Sequence, residues 1–183
     1  GLDVHAYTAS LIYGVGLENV TKEMRDLAKT TNFGIIYGIS SFGLSRDLHI
    51  SKEEAQAFID AYFQRYIKIK DYLDKIITEA QRYGYVTTIC NRRRYLPDIH
   101  SENLFVRQFS ERAAVNTSVQ GSAADLIKLA MIGVEQALRE KPYKAQMLLQ
   151  VHDELVFEAP SDELSQVTQV IKDKMEHAVS LSV

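Results

Sequence analysis

Four side chains in the segment MRDLAKTTNFGIIYG could bind a nucleoside triphosphate. They recur at four-residue steps and are Arg25, Lys29, Phe33 and Tyr37. At about 100° of rotation per residue, this spacing places them on one helix face, away from apolar positions such as Ala28 and Ile35. Two outward cations can pair with phosphates, and two rings offer flat surfaces for a sugar or a base. The alternative is two solvated cations beside rings that pack on a neighbouring helix.

Three hydrogen-bond donors recur at the same spacing in ERAAVNTSVQGSAAD. These are Arg112, Asn116 and Gln120, and the small residues between them would let a bulky partner approach. Every base pair presents acceptors in the minor groove, so such donors could test base-pair geometry without reading sequence. That chemistry suits an enzyme that copies DNA. The competing interpretation is that Asn116 caps a helix and that Gln120 is buried and bonded to the backbone.

A third set, His152, Asp153 and Glu154, lies between the apolar runs LLQV and LVF. Asp is common in turns, so a turn with no chemical role is the simpler interpretation. Adjacent carboxylates on a rigid hairpin can also bind Mg²⁺, which takes a few carboxylates together with water and substrate phosphates. In-line phosphoryl transfer commonly uses two such ions. The two acids are therefore candidate metal ligands, and we expect a second carboxylate-bearing strand to face them.

The elements that carry the first half of these residues follow from local signals. Thr21 precedes a helical pattern that runs to Gly38, and Ser51 with Glu54 forms a capping box that opens the next helix. A helix over 66–82 follows. The segment GYVTTICNRRRYLPDI then changes to β-branched and aromatic residues, which predicts a strand or hairpin ending at Pro97.

The second half predicts helices over 102–118 and after Gly121, then a β-hairpin with strands 147–151 and 155–159. Pro160 and Ser161 open a final helix. The predicted fold class is α+β, with a mostly helical lobe up to residue 100 and a lobe with an antiparallel hairpin over 101–183.

Composition excludes several classes of protein. The 183 residues are 46% hydrophobic and 25% charged, with 3 Pro and 9 Gly, so disordered, collagen-like and low-complexity chains are excluded. The single Cys90 has no disulfide partner and none at metal-binding spacing. No apolar run of about 18 residues and no signal-peptide pattern occurs, so we expect no membrane contact and a cytoplasmic location.

The net charge of −3 is unevenly distributed. The segment 82–112 is rich in arginine, whereas 152–183 is rich in acids. A basic stretch followed by an acidic one suits an enzyme that binds phosphates and divalent cations, and two solvated faces of opposite sign are the alternative.

Taken together, these segments resemble the polymerase domain of family A DNA polymerases, of the bacterial DNA polymerase I type. RDLAKTTNFGIIYG is similar to motif B on the fingers helix, and QVHDELVFE is similar to motif C in the palm. RRRYLPDI and ERAAVNTSVQGSAADLIK resemble the segments between them. The resemblance covers essentially the whole chain. It implies a fingers subdomain with a lead-in from the palm over 1–100, and a partial palm carrying motif C over 101–183.

The resemblance also implies roles at the nucleotide. Arg25 and Lys29 would hold the incoming deoxynucleoside triphosphate, and Phe33 would lie against its sugar. Tyr37 would occupy the templating site in the open state. Lys29 is thereby expected to take part in catalysis as well as in binding.

For the DNA and the metal, the resemblance implies a further group of contacts. The residues that would meet the minor groove or the primer end of primer–template DNA are Arg112, Asn116, Gln120 and His152. Asp153 would ligate Mg²⁺, with two ions in the intact enzyme, and Glu154 would be an accessory acid near the primer. Asp153 and Glu154 complete the expected catalytic set.

The chain departs from the family pattern at its beginning. Family motif A, a DYSQIELR-like strand with another metal-binding aspartate, lies just upstream of a D-x-H-x-x-T-A segment, and the chain begins at that segment. Asp3 matches a noncatalytic position. We therefore expect motif A, the thumb and any nuclease domain to be absent, and the chain alone to be inactive. Asn91 stands where many members have Gly, a change that a turn should tolerate.

The predicted function is thus a fragment of a DNA-directed DNA polymerase, a nucleotidyltransferase of DNA replication and repair. It would add deoxynucleotides to a primer 3′ end by two-metal phosphoryl transfer, in the bacterial cytoplasm at the nucleoid. Its expected partners are primer–template DNA, deoxynucleoside triphosphates, and the upstream motif A and thumb segments of the parent polymerase. The alternative is a noncatalytic nucleic-acid-binding module, from which triphosphate binding that depends on Lys29 would distinguish it.

Overall fold

Eight α-helices and four short strands occur in residues 3–181, the part of the chain that the computed structural model describes. The helices are α1 (Val4–Tyr13), α2 (Lys22–Ile36), α3 (Ser41–Leu48), α4 (Lys52–Arg65), α5 (Ile67–Tyr83), α6 (Leu104–Asn116), α7 (Ser122–Glu140) and α8 (Leu164–Glu176). The strands are β1 (Tyr85–Thr87), β2 (Arg93–Tyr95), β3 (Gln146–Val151) and β4 (Glu154–Glu158). β1 pairs with β2 and β3 with β4, so the predicted α+β class is confirmed.

Helix starts follow the predicted capping signals. Thr21 Oγ1 accepts a hydrogen bond from the Met24 amide, and α2 begins at Lys22, directly after Thr21. The capping box is complete at α4, because Ser51 and Glu54 each bond the other's backbone amide. The sequence pattern did not predict α1 or α3.

The chain divides into two compact units. The first comprises residues up to Val86 together with Tyr95–Asn116, and the second comprises Thr87–Arg94 and the chain from Thr117 onward. α6 thus lies with the first unit, although the predicted lobe boundary stands at residue 100. The physical reason is that Ala114 and Val115 of α6 share a buried cluster with α5. The names fingers and palm stay predictions.

Two apolar clusters form the centres of these units. In the first unit the buried cluster is Leu73, Ile76, Ala80, Val86, Leu96, Ile99, Ala114 and Val115. α2 turns Ala28, Thr31 and Ile35 inward, as its periodicity predicts, and it also buries Asn32. In the second unit, Val134 and Leu138 of α7 pack with Ala145 and with Val167 of α8.

The β3–β4 hairpin has a two-residue loop, because Val151 pairs with Glu154. A bulge interrupts the register between Met147 and Leu149. The predicted hairpin is confirmed. α8 begins at Leu164 rather than at Pro160, since the intervening residues form a turn in which the Glu163 amide donates to the Pro160 carbonyl.

The helix predicted over 102–118 ends at Asn116 and passes into a π-helical segment, Thr117–Gly121. Regular α-helical spacing from Arg112 to Gln120 is therefore not kept, because π-helical bonds join residues five apart rather than four. A Cβ on Gly121 would lie 2.9 Å from Thr88 Cγ2, so the absence of a side chain at Gly121 lets the β1–β2 loop approach this segment closely.

The loop between β1 and β2 contains Asn91 at a φ of 60°. Asn tolerates this left-handed conformation better than most residues other than Gly. Its presence in the turn therefore agrees with the expected tolerance. Within residues 3–181, no helix combines the length and the apolar character that crossing a membrane requires.

Candidate functional site

α2 carries Arg25, Lys29 and Phe33 of the first predicted set away from its buried residues, and Tyr37 follows as the C-cap of the helix. Lys29 and Phe33 are exposed, with Phe33 at 44% of its full accessibility, and Arg25 and Tyr37 are half-buried. The rings of Phe33 and Tyr37 stack with their centroids 6.3 Å apart and an interplanar angle of 11°. The structure therefore brings the two cations and the two rings into one stripe, and we call these four residues the α2 stripe.

Arg25 is fixed at one end of the α2 stripe by Asp3. Its Nε donates to Asp3 Oδ2 at 2.7 Å, while Asp3 Oδ1 caps α1 by accepting from the amides of His5 and Ala6. The Arg25 guanidinium, together with these amides, lowers the pKa of the Asp3 carboxyl to about 2. One carboxylate thus ties the start of α1 to the α2 stripe.

His5 lies beside the α2 stripe, although the sequence analysis did not select it. Its ring centroid is 5.8 Å from that of Phe33, at an interplanar angle of 46°. Its Nδ1 is 3.0 Å from Nδ2 of Asn32, which is buried in the core face of α2. Two sequence signals could have pointed to this pair. They are the D-x-H pattern at the start of α1 and the presence of an amide side chain, Asn32, among the core positions of α2.

Tyr37 and Arg112, predicted in separate sets, line the same cavity in the first unit. Its volume is about 330 Å³, and its walls come from the end of α2, from α5 and from α6. Gly38 has a φ of 82°, and a Cβ there would lie 3.0 Å from Arg112 Cγ. Because Gly38 has no side chain, Arg112 can pack closely against the backbone directly after Tyr37.

The other two members of the second set differ in their surroundings. Asn116 is half-buried at the end of α6, and its buried Oδ1 has no hydrogen-bond partner. Gln120 lies in the π-helical segment and is exposed, so the interpretation of a buried Gln120 is wrong. Its amide is accessible to a partner.

Thr87–Arg94, the part of the β1–β2 hairpin that lies in the second unit, is anchored by Asp125, a residue that the sequence did not single out. The buried carboxylate of Asp125 accepts from Thr88 Oγ1 at 2.5 Å and from Arg92 Nε at 2.7 Å. The Thr88 bond and then Arg92 lower the pKa of the Asp125 carboxyl below its usual range. Arg94 donates to Thr117 Oγ1 at 3.1 Å. An acid in the first turn of α7 was the only local signal.

His152 and Asp153 form the loop of the second hairpin, and Glu154 is the first residue of β4. All three side chains are exposed. His152 has a φ of 53°, and its carbonyl oxygen accepts from Gln150 Nε2 at 2.6 Å. Within residues 3–181, no three His, Cys, Asp or Glu side chains come together as a complete metal-binding group. Asp153 and Glu154 offer two adjacent carboxylates.

Comparison with known families gives one match that covers the whole chain. The family described as DNA polymerase family A matches residues 1–183. DNA polymerase I of Geobacillus stearothermophilus is 52% identical over 183 residues, and that of Bacillus subtilis strain 168 is 49% identical over 182 residues. Both alignments cover 100% of this chain and 21% of the relative, so the chain spans about a fifth of the relatives' length.

A solved structure is similar over nearly the whole chain. It is the POL domain of Pol1 from M. smegmatis in complex with DNA primer-template and dNTP. It is 42% identical in sequence, with a TM-score of 0.92. The match covers 99% of this chain and 32% of the solved one.

Proposed function

Because the chain belongs to DNA polymerase family A, we propose that it supplies the nucleotide-binding helix and part of the DNA-binding surface of a DNA-directed DNA polymerase. The reaction is templated attack of a primer 3′-hydroxyl on the α-phosphate of a deoxynucleoside triphosphate, with release of pyrophosphate, in replication and repair. The α2 stripe carries this proposal, because two cations and two stacked rings share one accessible helix face. The solved relative holds both proposed ligands.

At the nucleotide, Lys29 and Arg25 pair with the triphosphate, and Phe33 lies against the sugar. Charge-assisted hydrogen bonds to phosphate are among the stronger noncovalent contacts. Asp3 engages the Nε edge of Arg25 and so orients its guanidinium. His5, beside Phe33, adds a ring nitrogen to this surface. Tyr37 occupies the templating position.

At the DNA, the proposed minor-groove and primer-end contacts are Arg112, Asn116, Gln120 and His152. The exposed side chains of Arg112, Gln120 and His152 support this assignment. Asn116 is half-buried at the end of α6, so a minor-groove contact would be made by the donor end of its amide, because its buried Oδ1 can only accept.

Asp153 and Glu154 fit one side of a magnesium site. Mg²⁺ is usually held by one or two carboxylates together with water and substrate phosphates, and an adjacent exposed pair on a hairpin loop offers such ligands. When bound, two Mg²⁺ ions would stabilise the charge that develops on the phosphate oxygens. Asp153 is the proposed ligand, and Glu154 the accessory acid near the primer.

The test uses a chimaera in which this chain replaces the matching segment of a full-length relative. Lys29→Ala should weaken binding of a fluorescent deoxynucleoside triphosphate by about tenfold or more, because a hydrogen bond between charged groups contributes about 1.5–3 kcal/mol. The fold should be unaffected, since an exposed lysine contributes little to stability.

Lys68→Ala is the matched control, because Lys68 is an exposed lysine on α5, remote in sequence from the α2 stripe. It should leave nucleotide affinity unchanged. Equal affinities of the Lys29→Ala and Lys68→Ala proteins would remove Lys29 from the site. Such a result would favour the alternative of a noncatalytic nucleic-acid-binding module.

A further inference from the structure

Asn32 is a buried amide on the core face of α2, where the pattern of the helix calls for an apolar side chain. It is 3% exposed. A buried polar group that lacks its hydrogen bonds costs about 1–3 kcal/mol, so the bonds that Asn32 makes decide whether its burial is tolerated. Both polar atoms of its side chain are bonded to α1, through Thr8 and His5.

The direction of these bonds fixes which nitrogen of His5 carries the hydrogen. Thr8 Oγ1 donates to Asn32 Oδ1 at 3.1 Å and shares its hydrogen with the Val4 carbonyl oxygen at 2.9 Å. The amide group of Asn32 therefore points at His5, and an NH₂ group can only donate. His5 Nδ1 must accept this bond. A neutral imidazole that accepts at Nδ1 carries its hydrogen on Nε2.

We propose that Asn32 is a positioning residue that holds His5 in the Nε2–H tautomer, so that this N–H donates to an oxygen of the bound nucleotide. The inference rests on the proposed function, because it takes the α2 stripe as the nucleotide-binding surface. His5 belongs to that surface by its ring contact with Phe33. Thr8 acts one step further back, because its hydroxyl orients the amide of Asn32.

The tautomer can be measured directly on the 183-residue chain. Two-bond ¹⁵N–¹H correlation spectra at pH 8.5, where an ordinary imidazole is neutral, distinguish a hydrogen on Nε2 from one on Nδ1. His5→Gln assigns the signal by removing it, and the other four histidines serve as internal references. The wild-type chain should show the Nε2–H form. A hydrogen on Nδ1 would overturn the proposal without any variant being needed.

Asn32→Asp tests the cause of this preference. A carboxylate of the same size can only accept, so the hydrogen of His5 should move to Nδ1. If this variant does not fold, Thr8→Val carries the test, because it removes the hydroxyl that orients the amide. Thr8→Val should yield a mixture of tautomers, and Thr8→Ser should restore the wild-type spectrum. A His5 spectrum that neither position alters would show that Asn32 does not set the tautomer.

The functional consequence is measured in the chimaera. Asn32→Asp should raise the KM for deoxynucleotides about tenfold, the size expected for loss of one hydrogen bond to a charged acceptor. An unchanged KM, in a protein where Lys29→Ala still weakens nucleotide binding, would overturn the positioning role and leave the nucleotide site standing. If Lys29→Ala has no effect, the proposed function fails and the role of Asn32 fails with it, whatever the tautomer.

Discussion

Asp3 is not among the predicted site residues, but it holds Arg25, which is one of them, in place. Its two carboxylate oxygens serve different partners, one the start of α1 and the other Arg25. The folded-state pKa of about 2 is below the ordinary value of 3.8. The contribution of this carboxylate to stability is therefore fully present above pH 3.8, and it is lost as the pH falls through about 2.

We predict that removing the guanidinium reverses this shift. In Arg25→Ala, the pKa of Asp3 should rise from about 2 toward 3.8, because the bond to Arg25 is its largest cause. Titration of the side-chain carboxyl carbon by NMR measures it. Lys22→Ala, which changes a neighbouring cation on α2, should leave the Asp3 titration as it is. A pKa that stays near 2 in Arg25→Ala would mean that the backbone amides alone lower it.

At the scale of elements, the β3–β4 hairpin places a histidine in a conformation that favours glycine. A left-handed backbone conformation costs an L-residue about 1–2 kcal/mol, a cost that glycine avoids. Glycine also raises the conformational entropy of the unfolded chain, which lowers stability by about 0.4–1 kcal/mol. His152→Gly should therefore raise the free energy of unfolding of this part of the chain by about 0.5–1 kcal/mol, as measured by urea denaturation.

Asp153→Gly is the control at the next loop position, which is not in the left-handed region. Asp153→Gly should lower stability, because it raises the conformational entropy of the unfolded chain and relieves no left-handed backbone. If His152→Gly is no more stable than Asp153→Gly, the left-handed conformation of His152 stores no strain. The same His152→Gly variant in the chimaera would show what the imidazole contributes to DNA affinity.

The junction after α2 depends on a glycine for two reasons that substitution can separate. Gly38→Ala meets both the left-handed backbone and Arg112, whereas Gly14→Ala has a φ of 63° and no atom within 4 Å of the new Cβ. Gly14→Ala should cost about 1 kcal/mol, and Gly38→Ala about 1 kcal/mol more through the contact with Arg112.

Thermal or chemical unfolding of both variants gives the comparison. Adding Arg112→Ala to Gly38→Ala should remove the extra cost, because the side chain that the Cβ meets is then gone. Equal costs for the two glycine variants would show that Arg112 moves aside freely. The cavity shared by Tyr37 and Arg112 would then be less rigid than its packing indicates.

At the scale of the whole molecule, the chain spans about a fifth of its relatives, so polymerase activity is a property to be tested in the longer protein. In the chimaera, Asp153→Asn should lower primer extension at least a hundredfold. Loss of a metal-binding carboxylate costs several kcal/mol of transition-state stabilisation, and each 1.4 kcal/mol is about tenfold in rate. Asp162→Asn, a nearby exposed acid, should extend primers normally. Undiminished extension by Asp153→Asn would exclude it as a metal ligand.

Much of the fold follows from contacts between residues close in sequence. The start of α2 at Thr21, the capping box at Ser51 and the β3–β4 hairpin each depend on bonds or periodicity within a few residues. Most of the α2 stripe follows for the same reason, since helical rotation sets the positions of Arg25, Lys29 and Phe33, and Tyr37 caps the helix directly after them.

Contacts between residues far apart in the chain are known only from the folded structure. His5 meets Asn32 across 27 positions, and Thr88 meets Asp125 across 37. The cavity that joins Tyr37 to Arg112 and the placement of α6 with the first unit are also long-range results of packing. No local pattern specifies such pairs, because a side chain's sequence neighbours limit its backbone but not which distant element will cover it. Local sequence patterns thus predict the candidate nucleotide-binding residues, and packing decides which neighbours hold them in place.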